Sequence, residues 1–222
     1  MKWAIIIVLV VNLSSCSNLD RAVRKLVRPT PINGVCAKEG NAFDIGRYKF
    51  SINLNPDWEY SLKPWDQSVS FHYLKDGIAS AINTNSYINH VYWLEEYWHD
   101  PELIRQAMQQ FYDDHTSRKP RNNPFYDLRI VKKAGLVCVR EEERWTAPTP
   151  YGAYNTSYNG GLEDHLSYIC VVPGQLERRP IDIGIAQSTG GKATPLNLEA
   201  ILTPILESLV LNPNPPPLPE NY

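Results

Sequence analysis

The sequence lacks a surplus of charge of either sign: 22 Lys+Arg stand against 24 Asp+Glu, for a formal net charge of -2. Nucleic-acid binders concentrate Lys and Arg to displace counterions, so nucleic acid is not an expected partner. Long apolar runs are missing too. The run from Trp3 to Leu13, broken by Asn12, is too short for a hydrocarbon core that takes roughly 20 residues. Together with a mean hydropathy of -0.36, this excludes a polytopic membrane protein. The five histidines, His72, His90, His99, His115 and His165, form no i, i+4 pair and no HExxH, which argues against a zinc protease. There is no GxSxG elbow. Ser188 to Lys192 ends in Gly-Gly-Lys without the spacing of a phosphate loop. No cofactor and no metal are expected, and no internal repeat is present.

What is there begins with a secretory signal. Met1-Lys2 is a short positive start, the apolar run follows, and Leu13-Ser14-Ser15-Cys16 closes it with small residues that a peptidase can bind in extended form. The tetrapeptide resembles a bacterial lipobox, which implies a diacylglyceryl group on the sulfur of Cys16, cleavage before it, and acylation, such as palmitate, of the new amino group. Residues 1–15 are then signal peptide, and the fatty chains exceed the two signals that stable anchoring needs. Ser17, where a retention signal would have Asp, implies the outer membrane in the familiar sorting pattern, with the body of the protein facing the periplasm. Residues 16–35, with Arg21, Arg24, Lys25, Arg28 and Pro29-Thr30-Pro31, suit a solvated tether. Residues 212–222, with five prolines between Asn212 and Pro219, suit an extended tail.

The remaining 36–211 has the length and the apolar content for one globular domain. Tyr48 to Leu54 and Val69 to Leu74 alternate apolar and polar residues, and Asp76-Gly77 favours a tight hairpin into Ile78 to Asn85. Asp100 as cap with Pro101 at the first position opens a helix to about His115. A basic loop from Arg118 to Pro124 precedes strands at Asp127–Lys132, Leu136–Trp145, His165–Val172 and Ile181–Gln187. Asn197 to Leu211 reads as a second amphipathic helix, kinked at Pro204. The expected fold is α+β: one mainly antiparallel sheet with two principal helices packed on it in a single domain. This layout, over about 43 to 211, is similar to the Mog1/PsbP-like arrangement.

Export puts Cys36, Cys138 and Cys170 in an oxidising compartment. Cys138 and Cys170 lie mid-strand, and a bridge between them would staple the sheet, while Cys36 could replace either partner and one thiol is left over. Glu141 and Glu143 share one strand face, expected to be solvated, with Glu142 on the other. Two aromatic-rich segments stand out. One holds Glu95, Glu96 and Trp98; the other is a Gly/Pro/Asn loop with Tyr151, Tyr154 and Tyr158. These side chains either cap the core or form a recognition surface, since Tyr and Trp dominate protein interfaces. The favoured function is a non-enzymatic lipoprotein that binds a partner protein through those six residues. In lipobox, size and layout it resembles the immunity lipoproteins of type VI secretion systems, which implies neutralisation of an antibacterial secreted effector. The alternatives are an envelope assembly accessory, or a cell-envelope hydrolase using Glu141 or Glu143 with a histidine such as His165.

Overall fold

Alternating apolar and polar stretches become strands in the computed structural model, which describes residues 37–63, 67–84, 99–118, 122–146, 161–172, 180–190 and 193–214. Three short strands come first: β1 (Ala37–Glu39), β2 (Ala42–Asp44) and β3 (Tyr48–Ser51). β4 (Glu59–Lys63), β5 (Ser68–Lys75) and β6 (Ile78–Thr84) follow. After helix α1 (Pro101–Arg118) come β7 (Asn122–Lys133), β8 (Leu136–Thr146), β9 (Leu162–Val171) and β10 (Ile181–Thr189). Helix α2 (Leu198–Glu207) and β11 (Val210–Leu211) close the fold.

The architecture is mostly antiparallel sheet with two helices. The strands form two sheets rather than the single one expected. A seven-stranded antiparallel sheet runs β4-β5-β6-β10-β9-β8-β7, and a four-stranded sheet runs β1-β2-β3-β11. β3 lies within the alternating run Tyr48 to Leu54, but its partners β1, β2 and β11 were hidden, because strands of two or three residues are too short to display a period of two. Two hairpins of the large sheet turn on paired left-handed residues, Asp76-Gly77 (φ 53° and 77°) and Ala134-Gly135 (φ 49° and 78°). Both match the twist of their strands, as two-residue loops must.

Asp100 caps α1 as expected, accepting from the backbone N–H of Glu102 at 2.8 Å, and the helix continues past His115 to Arg118. The loop expected over 118–124 is shorter than that. β7 starts at Asn122 and takes in exposed Pro124 at an irregularity in its pairing with β8. A proline without an N–H is tolerated at such a place on an outer strand. α2 also ends early. Asn197 caps it, accepting from the Ala200 N–H at 3.0 Å, and the chain leaves the helix at Ser208 to pair β11 with β3. Ser208 closes the last turn: its hydroxyl reaches the Pro204 carbonyl at 2.7 Å and takes the N–H of Ser51 at 2.8 Å, tying helix end to small sheet.

Each face of the large sheet has a layer packed on part of it. One face meets the small sheet and α2, where Phe71, Ile82, Tyr168, Ile183 and Ile185 pack with Phe43, Phe50, Leu202, Ile205 and Leu206. On the other face α1 contributes Ile104 and Met108 against Val139 and Ile169. This second layer corrects the expectation for Glu141. Glu141 and Glu143 do share a face, opposite Ser167 and His165 in register, but it is the α1 face, and Glu141 is buried. Cys138 and Cys170 face each other across β8 and β9 and are joined by a disulfide, as expected. Cys36 lies outside the described residues.

Candidate functional site

Alternation along β8 sends Arg140, Glu142 and Arg144 to the α2 face, where β9 places Tyr168, Leu166 and Asp164 directly opposite them. The chain entering α2 crosses above. Its Pro195–Glu199 stretch, with Arg140, Glu142, Arg144, Asp164 and Leu166, encloses a cleft of about 370 Å³. Gln187 of β10 holds that roof in place through two reciprocal bonds, donating to the Leu196 carbonyl at 3.1 Å and accepting the Leu196 N–H at 2.9 Å.

The lining is ionic, and its charges answer one another. Arg140, its side chain only 11% exposed, reaches Asp127 at 3.2 Å, Glu142 at 2.7 Å and Glu199 at 3.5 Å. Arg144 bonds buried Asp164, which also accepts from Gln187 Nε2 at 3.1 Å. Half of the Arg144 side chain remains open to solvent at the mouth. Glu199, in the first turn of α2, accepts from the Tyr168 hydroxyl at 2.6 and 2.7 Å and from Lys133 Nζ at 3.0 Å. Partial burial alone would raise the Glu199 pKa, but Tyr168, Lys133 and Arg140 together bring it below the ordinary carboxylate value. Burial, then the Glu199 carboxylate, push the Tyr168 phenol up to about 12.

The α1 face carries a second polar group around Glu141. Tyr126 donates its hydroxyl to Oε1 at 3.3 Å, Ser167 donates to Oε2 at 3.2 Å, and His165 Nδ1 lies 3.6 Å from Oε2. Tyr112 of α1 stacks flat on Tyr126, with ring centroids 3.6 Å apart. Burial, with the Glu141 charge, drives the Tyr126 phenol well above its usual range. One strand over, Ser188 donates to Glu163 Oε1 at 2.5 Å, and burial raises the Glu163 pKa.

The structure therefore brings together Glu141 and His165, with Glu143 two residues on, from the hydrolase alternative. Cys16, Glu95, Glu96, Trp98, Tyr151, Tyr154 and Tyr158 lie outside the described residues. The cleft residues Arg140, Arg144, Asp164, Gln187 and Glu199 were missed. Their one legible signal was the i, i+2 repeat Arg140-Glu142-Arg144, which marks a shared face without saying what covers it. Among the described residues no group of three or more His, Cys, Asp or Glu is placed to hold a metal. Among them, too, no helix is long and apolar enough to cross a membrane.

No protein-family model and no curated protein matches the chain. Among solved structures, LpqN of Mycobacterium tuberculosis, described as involved in cell envelope biogenesis, aligns with 80% of this chain and 90% of its own. The identity is 12% and the TM-score 0.39.

Proposed function

We propose that this chain is a non-enzymatic lipoprotein, anchored through Cys16 at the periplasmic face of the outer membrane, whose α+β domain binds a partner protein. The observation that carries the binding role is the ionic cleft under α2. Its carboxylates Glu142, Asp164 and Glu199 each face a cation, which suits fixed electrostatic recognition rather than proton transfer. Half-exposed Arg144 is the natural first contact. The bridge between Cys138 and Cys170 supports export to an oxidising compartment, in keeping with the lipobox. The particular form we favour is an immunity protein that neutralises an antibacterial secreted effector, with Glu95, Glu96, Trp98, Tyr151, Tyr154 and Tyr158 as further contacts.

The test is capture from envelope extracts and secreted fractions by the tagged full chain, repeated with Arg144→Glu and with the three loop tyrosines changed to Ala. Stoichiometric retention of one secreted toxin, lost in the variants, supports the immunity role. Retention of resident envelope machinery moves the protein to assembly accessory. In parallel, Cys16→Ala should move the protein from the membrane to the soluble periplasmic fraction.

A second reading is favoured by the 3.6 Å approach of His165 to Glu141 beside Ser167. It is a cell-envelope hydrolase in which Glu141 orients or accepts a proton from the histidine. Release of soluble fragments from purified cell wall, abolished by Glu141→Gln, would establish it. No release by the wild-type chain would remove it.

A further inference from the structure

The large sheet ends on two very different edges. β4 is five residues long, a length that discourages further pairing, whereas β7 runs for twelve. Among the described residues β8 is the only hydrogen-bonded neighbour of β7, and no other described strand takes up the backbone donors and acceptors of its outer side. Ile130 is 40% exposed and Phe125 46%.

We propose that β7 pairs antiparallel with β7 of a second copy of this chain, about a two-fold axis through Leu128, to make one continuous sheet. The register follows from the side chains. Residues opposite each other across an antiparallel ladder lie on the same face, so odd positions meet odd and even meet even. With Leu128 opposite Leu128 of the second copy, Asp127 meets Arg129 of the second copy, and Arg129 meets its Asp127. On the other face Tyr126 meets Ile130, and Leu128 meets itself. Phe125 meets Val131. Every ion therefore finds its opposite and every apolar side chain an apolar one.

A shift of the axis by one residue destroys this match. Centred on Asp127 it places two carboxylates together, and centred on Arg129 two guanidiniums, pairs that weaken a ladder; where β8 sets Glu142 opposite Asp127 and Arg140 opposite Arg129, the Arg140 guanidinium bonds both carboxylates. Pro124 has no N–H to donate and closes the ladder at each end, leaving the seven residues Phe125–Val131 to pair. A strand from an unrelated protein would share the backbone bonds but not this self-complementary order. That symmetry of the strand with itself is what selects a second copy as the occupant.

The test uses full-length chains with two different affinity tags, co-expressed and extracted in mild detergent, with recovery of the second tag as the readout. Wild-type copies should co-purify. Arg129→Glu alone and Asp127→Lys alone should each lower self-pairing by about tenfold or more, since like charges then oppose each other twice. Expressed together, those two variants should pair with each other, because every contact is again between opposite charges. Circular dichroism on each variant separates loss of pairing from loss of folding. If wild-type copies fail to co-purify, or if Arg129→Glu pairs with itself as well as wild type does, the proposal is overturned. It is likewise overturned if a different protein, and no second copy, is retained in an Arg129-dependent way.

Discussion

The Tyr168 hydroxyl donates to both carboxylate oxygens of Glu199, at 2.6 and 2.7 Å. Tyr168 is only 1% exposed, in the middle of β9, so this bond fastens the first turn of α2 to the sheet and closes one end of the cleft. Lys133 and Arg140 reach the same carboxylate from β7 and β8. Glu199→Ala should therefore cost more than Tyr168→Phe. The first leaves a buried phenol without its acceptor, about 2 kcal/mol, while the second removes donor and need together, about 1 kcal/mol. Urea unfolding of both singles and the double variant should return a non-additive pair.

Stability should fall at both ends of the pH scale. Glu102, bonded by Arg105 and then Gln106, has its pKa lowered to about 2, and Glu199 also lies below the usual value. Groups depressed on folding stabilise above their unfolded pKa and cease to do so as pH falls, here from about 4 toward 2. Tyr168 is raised to about 12, so the folded state holds a proton that the unfolded state releases near 10. Its contribution is complete below pH 10 and is lost as pH rises from about 10 to 12. Urea midpoints across pH check both limbs. Glu102→Gln should flatten the acid one.

The bridge between Cys138 and Cys170 closes a loop with a sequence separation of 32. Constraining the unfolded chain over that length is worth about 3.5 kcal/mol in the chain-entropy account. Replacing both cysteines with valine and alanine should shift the urea midpoint accordingly, and dithiothreitol should do the same to the wild-type chain.

Ala134 sits at φ 49° in the β7–β8 turn, a left-handed position that costs a residue with a Cβ about 1–2 kcal/mol. Ala134→Asn makes the Asn-Gly pair that such a turn favours. It should stabilise the protein by about 0.5–1 kcal/mol, read as a raised melting temperature.

Gly184 of β10 lies under the Glu141 group. A Cβ there would stand 3.3 Å from Ser167 Cβ and 3.5 Å from His165 Nε2. Gly184→Val should overpack this site by about 1–3 kcal/mol and displace the His165 ring, which the histidine NMR shifts would register.

Much of the framework was legible in order along the chain. The Asp76-Gly77 turn, the Asp100-Pro101 helix start and the runs that became β5 to β10 each carry their signal within a few neighbouring residues. β11 and the early end of α2 did not, because Leu209 continues the apolar spacing of Leu198, Ile201, Leu202, Ile205 and Leu206 past the end of the helix. Only the pairing of Val210 with Lys49 and Leu211 with Tyr48 turns that segment into a strand. Glu141 was misread for a related reason. Its alternation assigned the face, and the side chain is buried because α1, more than twenty residues earlier, lies over that face.

By itself the sequence determined what depends on near neighbours: periodicity, caps, turns and the mid-strand setting of Cys138 and Cys170. Tertiary structure alone decided which faces are covered and where the cleft lies. Glu199 meets Arg140 and Lys133 across separations of 59 and 66 residues. Contacts at such range form only where strand order and helix packing have already brought the segments together, and no local pattern encodes that meeting.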